Sequence, residues 1–193
     1  ARDLVSYFVG QGVGLVERAA ILPRPELCAG DLLVGLRSSG PHTNGYSLIR
    51  HIFADADYTA FYPELNCTLA DALLAPHRSY LPVLNPVLAH PERPIKALAH
   101  ITGGGFIENI PRVLPDGISA HIRWDSWPIP PLFSLIQQRG QVGWAEMARV
   151  FNLGIGMVAV INPEHLSLFQ QLVGEETWVI GSLTYDTRRV VML

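Results

Sequence analysis

His100-Ile101-Thr102-Gly103-Gly104-Gly105-Phe106-Ile107-Glu108-Asn109-Ile110-Pro111-Arg112 is the stretch on which the reading of this chain turns. An apolar run, residues 95–101, feeds three adjacent glycines, and a short amphipathic segment comes next. Each glycine loses more backbone freedom on ordering than any other residue, so three together are kept where backbone must approach something closely. Glycine-rich backbone opening onto a helix start leaves N–H groups free, and a phosphate fits there. The same run also serves as a plain turn between a strand and a helix. Spacing alone leaves both readings open.

A second stretch has the same build. Asp31-Leu32-Leu33-Val34-Gly35-Leu36 reads as a short buried strand. Arg37-Ser38-Ser39-Gly40-Pro41-His42-Thr43-Asn44-Gly45 comes after it, and residues 46–53 then place apolar side chains at helical spacing. This loop sets hydroxyls, an imidazole, an amide and a guanidinium close together, whereas a connector needs only Gly, Pro or Asn. Singly, Asn44-Gly45 is a turn, Ser38 and Ser39 are solvated hydroxyls, and Thr43 is a helix cap. Together they point to a polar ligand. The candidate binding residues are Ser38, Ser39, Gly40, His42, Thr43, Asn44 and Gly45 in one loop, and Thr102, Gly103, Gly104, Gly105 and Asn109 in the other. His42 is the candidate catalytic group, because an imidazole can donate to phosphate near neutral pH. Glu108 suits a first helical turn through the helix dipole alone, and Arg112 is either a phosphate partner or a surface cation.

SSGPHTNGYSLIR and HITGGGFIENIPRVLP resemble the C-terminal domain of the phosphoribosylformylglycinamidine cyclo-ligase family, also called aminoimidazole ribonucleotide synthetase. LADALLAPHRSY, EMARVFNLGIGM and the closing WVIGSLTYDTRRVVM support the resemblance in the family's order. Thr43 stands where the family commonly has Ser, and Leu153 where it has Cys. The first sixteen residues fit less well, with Gln11 to Gly14 as extra length.

The resemblance implies an α+β domain with a mixed, largely antiparallel sheet and packed helices. It implies an ATP-dependent closure of the imidazole ring in purine biosynthesis, from formylglycinamidine ribonucleotide to aminoimidazole ribonucleotide. It also implies that residues 1–193 are one C-terminal domain, half of an active site. An N-terminal domain outside this sequence would bind most of the ATP and Mg²⁺ and form the homodimer, so the chain alone is expected to be inactive. Relatives with the same plan remain alternatives: selenophosphate synthetase, thiamine-phosphate kinase, a hydrogenase maturation factor and formylglycinamidine ribonucleotide synthetase. A non-catalytic docking module is a further one.

Composition agrees with a single domain. The chain has 193 residues, of which 49% are hydrophobic and 16% charged, against roughly 25% charged on average. Mean hydropathy is +0.23. This suits a large core, or apolar surface covered by a partner. A formal net charge of −3 offers no basic field to nucleic acid. No apolar run approaches the roughly 20 residues that span a bilayer, and no secretory pattern opens the chain. Cys28 and Cys67 are expected as reduced thiols of a cytoplasmic protein. The sequence lacks a Walker P-loop, an HExxH, a Cys/His cluster and a GxSxG elbow, so no metal ligand set is assigned. Gly154-Ile155-Gly156 is read as close strand packing, or as a third wall of the same cleft.

Along the chain, residues 5–16 are β-rich but studded with glycines, and residues 54–65 are irregular. A helix from Leu69 is expected to continue through residues 77–84, with Pro76 as an early-turn proline or a break. Pro82, Pro86, Pro91 and Pro94 punctuate the segment before Ile95. Strands are expected at 118–122 and 157–161. Helices are expected at 132–139, stopped at Gly140, at 143–150, and after an Asn162-Pro163 start to Gly174. Residues 178–183 and 188–192 read as a closing hairpin. His77, His90 and His165 are read as surface or cap residues, His121 as a satisfied sheet residue and His100 as structural. Asp71, Arg78, Trp124 and Trp127 are also read as structural.

Overall fold

The computed structural model describes residues 13–193. The β-rich reading of residues 5–16 lies mostly outside them, and residues 13–17 carry no regular structure. Among these residues six strands form the main sheet in the order β4-β6-β1-β7-β5-β8. β1 (Leu32–Arg37) lies inside it, antiparallel to β6 (Ile155–Ile161) and to β7 (Thr177–Tyr185). β4 (Ile95–His100) pairs antiparallel with β6, and β5 (Ile118–Ile122) with β7. β8 (Val190–Met192) runs parallel to β5, so the sheet is mixed and largely antiparallel, as expected.

Successive side chains of a strand point to opposite faces, and helices cover both. Leu33 packs on the face shared by Ile49 of α1 (Tyr46–Ile52), Phe106 of α4 (Gly105–Asn109), Phe133 of α5 (Pro131–Gly140) and Met147 of α6 (Trp144–Val150). Leu73 of α2 (Leu69–Leu73) joins the same cluster. Val34 and Leu36 point the other way, against Leu84 and Val87 of α3 (Leu81–Leu88) and Phe169 of α7 (Leu166–Val173). A central strand buried on both faces reads as the continuous apolar run seen at Leu32 to Leu36.

Four sequence expectations are corrected. The closing hairpin is absent, because β5 occupies the free edge of β7, with Ile118 opposite Tyr185 and Ile122 opposite Gly181. The returning chain pairs instead on the far side of β5, with Ala120 opposite Val190. The helix from Leu69 does not continue past Leu73; α3 is a separate helix. Pro82 sits in its first turn, where no intrahelical N–H is needed, and buried Leu84 and Val87 hold it despite Pro86. Residues 54–65 are not wholly irregular, since β2 (Phe61–Tyr62) pairs with β3 (Cys67–Thr68). Gly140 is not the C-cap of α5; Gln141 takes the left-handed turn at φ 48°. Gly140 is glycine because a Cβ there would collide with Ile52 of α1. The Asn162-Pro163 start and the Gly174 stop are as expected.

Candidate functional site

β1 and β4 both run antiparallel to β6, so they leave the sheet at the same end, where β6 begins. Loop 38–45 after β1 and loop 102–105 after β4 are thereby neighbours. The turn 152–154 before β6 completes this end. Ser38 N–H donates to the Gly154 carbonyl (2.8 Å), and Ile101 N–H to that of Gly156 (2.9 Å). Asn152 is buried and ties the parts together. Its Nδ2 donates to the Gly40 carbonyl (2.8 Å), and its Oδ1 accepts from the Ser38 hydroxyl and the Gly154 N–H, both at 2.9 Å. Sequence reasoning gave Asn152 no role; its signal is an amide just before a Leu-Gly turn.

Loop 38–45 is tightly wound. His42 (φ 52°) and Thr43 (φ 63°) both take left-handed backbone, sparsely populated for residues with a Cβ and commonest at functional sites. The His42 carbonyl accepts from Thr43 Oγ1 (2.6 Å) and from Asn44 Nδ2 (2.8 Å). These side chains therefore hold the loop shape. Gly45 (φ 74°) caps α1, and a Cβ there would overlap the Phe151 ring. Ser39 Oγ donates to the Pro76 carbonyl (2.6 Å), and Ser39 N–H donates to His42 Nε2 (3.0 Å). His42 is 2% exposed, and its Nδ1 is buried without a hydrogen-bond partner among the described residues. Burial, then the nearby His77 and His100, lower its pKa from 6.5 to about 4, so the ring is neutral near pH 7.

In loop 102–105, Gly104 (φ 93°) and Gly105 (φ 54°) need their missing Cβ. At Gly105 a side chain would overlap the Ala148 carbonyl of α6. Asn109, read from sequence as a ligand or capping residue, is buried and braces the loop. Its Nδ2 donates to the carbonyls of Gly105 (2.7 Å), Gly103 (3.1 Å) and Thr102 (3.3 Å), and its Oδ1 accepts from the Thr102 hydroxyl (3.1 Å). No donor of Asn109 is left for a ligand. Among the described residues, the N–H groups of Gly103 and Gly104 donate to no backbone carbonyl. A Cβ on Gly103 would lie 3.4 Å from Asn44 Oδ1, so the two loops touch.

Three clefts border loop 38–45. One of about 370 Å³ is lined by Arg37, Ser38, Ser39, Gly40, Cys67 and Asp71, among others. A second, about 430 Å³, is lined by Thr43, Tyr46, Leu73, Pro76 and His77, among others. A third, about 290 Å³, lies between Ser38, Pro130 and Gly154. Residues 102–105 border none of them. Asp71 closes a capping box with Thr68, as a structural residue does. Arg78 makes two 2.6 Å contacts to the Glu175 carboxylate, and Trp127 Nε1 donates to the Leu153 carbonyl.

The histidines depart furthest from the sequence reading. His77 stacks on His42, with centroids 3.9 Å apart and planes 16° apart, and the Nε2 atoms of His77 and His100 lie 3.1 Å apart. Burial, and then His77, also lower the pKa of His100. Residues 42, 77 and 100 share no local motif, and only the fold brings them together. Gly156 makes room for the group, since a Cβ there would lie 2.7 Å from the His42 ring. This is the close-packing reading of Gly156. His121 lies in β5 as expected, but its Nε2 is buried with no hydrogen-bond partner among the described residues, which departs from the satisfied reading. Cys28 and Cys67 are free thiols. No helix among the described residues is long and apolar enough to cross a membrane.

The family described as AIR synthase related protein, C-terminal domain, matches residues 29–193. A phosphoribosylformylglycinamidine cyclo-ligase of Desulfitobacterium hafniense is 43% identical over 187 residues, 95% of this chain and 55% of that protein. The corresponding protein of Latilactobacillus sakei is 48% identical over 159 residues, 80% of this chain and 46% of its own length. The chain thus spans about half the length of the curated relatives it matches. The crystal structure of thiamine-monophosphate kinase from Stenotrophomonas maltophilia superposes with a TM-score of 0.59 at 16% identity, over 92% of this chain and 54% of that one. Hydrogenase maturation protein HypE in complex with ATP does so with a TM-score of 0.57 at 16% identity, over 86% and 48%. These structural likenesses support the fold.

Proposed function

The chain belongs to the AIR synthase related protein family through its C-terminal domain, and we propose that it forms one wall of an ATP-dependent cyclo-ligase site. The reaction converts formylglycinamidine ribonucleotide to aminoimidazole ribonucleotide. ATP phosphorylates the formyl amide oxygen, the amidine nitrogen attacks the activated carbon, and phosphate leaves. Such chemistry needs positioning and charge stabilisation more than a protein nucleophile. The observation that carries this reading is the pairing of two polar glycine loops at one end of the sheet, with free N–H groups at Gly103 and Gly104 and the Ser38, Ser39 and Thr43 hydroxyls close by. His42 is neutral at working pH and is the candidate to hold or pass a proton.

Mg²⁺ prefers oxygen ligands, and the described residues around these loops do not fit it: Asp71 is occupied in its capping box and the clustered ligands are imidazoles. The reading therefore places the Mg²⁺ carboxylates, most of the ATP site and the homodimer contact in an N-terminal domain beyond this sequence. The enzyme would be cytoplasmic, which suits its two free thiols.

Amide NMR of the chain, titrated with formylglycinamidine ribonucleotide, ATP and phosphate separately, tests the proposal. Shifts confined to residues 38–45 and 102–105 with the ribonucleotide are expected. Shifts in those loops with ATP alone would overturn the substrate-side assignment. Turnover by the chain alone, at the rate of a two-domain enzyme, would overturn the half-site.

A further inference from the structure

We propose that His42, His77 and His100 form a binding site for one borderline divalent cation of the zinc, cobalt and nickel class. One ring nitrogen from each histidine lies within 4.8 Å of those of the other two. Two imidazoles bound to a tetrahedral Zn²⁺ at about 2.0–2.1 Å hold their nitrogens roughly 3.4 Å apart. The His77 and His100 Nε2 atoms, at 3.1 Å, already stand near that separation. His42 is stacked on His77, with centroids 3.9 Å and planes 16° apart, so one ring must turn out of the stack before both can point at one ion.

The surroundings favour a ligating role for His42. With its proton on Nδ1, that N–H is buried with nothing to accept it. In the structure Ser39 N–H donates to Nε2 at 3.0 Å, which is the arrangement that leaves the proton on Nδ1. Ligation through Nδ1 moves the proton to Nε2, ends that contact and lets Nε2 donate to Ser39 Oγ at 3.0 Å, which in turn donates to the Pro76 carbonyl at 2.6 Å. Nδ1 then offers a bare lone pair, and the Ser39 hydroxyl fixes the tautomer, as partners of metal-bound imidazoles do. The ligands come from three separate places: loop 38–45, the connection between α2 and α3, and the end of β4. An ion would tie these together.

Ligand chemistry sets the metal class. Imidazoles suit Zn²⁺, Cu²⁺, Ni²⁺ and Co²⁺, whereas Mg²⁺ and Ca²⁺ want carboxylates and carbonyls. The nearby Arg78 is matched by Glu175, so its guanidinium is balanced. Three neutral imidazoles leave a fourth position of the ion open and its double charge uncompensated. A water or an anionic oxygen would take that position.

The site does not rest on the cyclo-ligase reading, and its test needs no ribonucleotide. The purified chain is titrated with Co²⁺, read by visible absorption, and with Zn²⁺ against a chromophoric chelator. One equivalent of Co²⁺ with a four-coordinate absorption band is expected. His77→Gln and His100→Gln, both at exposed positions, should each weaken binding at least ~10-fold while leaving the circular dichroism unchanged. His51→Gln, exposed on α1 outside the cluster, should leave affinity unchanged. Imidazole nitrogen NMR should show the His42 proton on Nε2 in the loaded protein. Absence of binding at about 100 μM metal would overturn the proposal. Equal affinity in both cluster variants would overturn it too, as would a thiolate-to-metal band lost with Cys28→Ser or Cys67→Ser.

Discussion

His42 carries a defined pH signature. Its folded pKa of about 4 lies below the ordinary 6.5, so folding favours the neutral ring. That stability is fully present above pH 6.5 and is lost as pH falls from 6.5 toward 4, because the unfolded chain takes up a proton that the folded one does not. The shift corresponds to a loss of up to about 3 kcal/mol. Urea unfolding across this range should show it, and His42→Asn should remove most of the slope, with a remainder from His100. Asn109 supports a second expectation. Asn109→Asp keeps the shape but turns a carboxylate oxygen toward three carbonyls, and should lower stability by about 2–3 kcal/mol in equilibrium unfolding. The density of polar groups in residues 38–45 was legible from sequence, because no connector needs it. The inward work of Asn109 and Asn152 was not, since an amide that binds a ligand and one that braces a loop look alike in sequence. The histidine cluster was hidden for a different reason: tertiary packing, not spacing, brings residues 42, 77 and 100 together.

At the scale of elements, glycines in one loop have different work. Gly105 is needed where α4 meets α6, while Gly103 has ordinary van der Waals room at 3.4 Å from Asn44 Oδ1. Gly105→Ala, strained at φ 54° and overlapping the Ala148 carbonyl, should cost more than about 3 kcal/mol. Gly103→Ala should cost less than about 1 kcal/mol. Thermal unfolding of the pair separates a packing role from mere loop freedom, and comparable losses in both variants would refute the distinction. Strands β1, β4 and β6 and the helix opened by Asn162 were readable because apolar runs and caps are local signals. α3 was obscured by Pro82 and Pro86, whose cost is outweighed by burial against α7. The partner of β8 was unreadable, because a strand's own residues do not say whether β7 or β5 has a free edge.

For the whole molecule, Asp31 and Lys96 join distant parts of the chain. Lys96 Nζ lies 2.6 Å from Asp31 Oδ1, and Asp31 is only 2% exposed. Asp31 also accepts from Cys28 N–H, and Lys96 donates to the Glu26 carbonyl. The pair ties the segment preceding β1 to edge strand β4, across β6. Lys96→Met would leave a buried carboxylate unpaired and should lower stability by about 3–5 kcal/mol, whereas the double variant with Asp31→Asn should recover part of the loss. Denaturant titration of the three variants measures it; equal losses in the single and double variants would refute the pairing argument.

The position of β1 has a consequence for the growing chain. Among the described residues it is the first strand of the main sheet to be made, yet it lies between β6 and β7, which come late. From Arg37 until Ile155 has been added, an apolar strand has neither neighbour available. At roughly 5–20 residues per second, that wait lasts on the order of ten seconds. During it, both edges of Leu32–Arg37 are open templates for another nascent chain. A chaperone that shields this strand as it emerges would therefore act before β6 and β7 can.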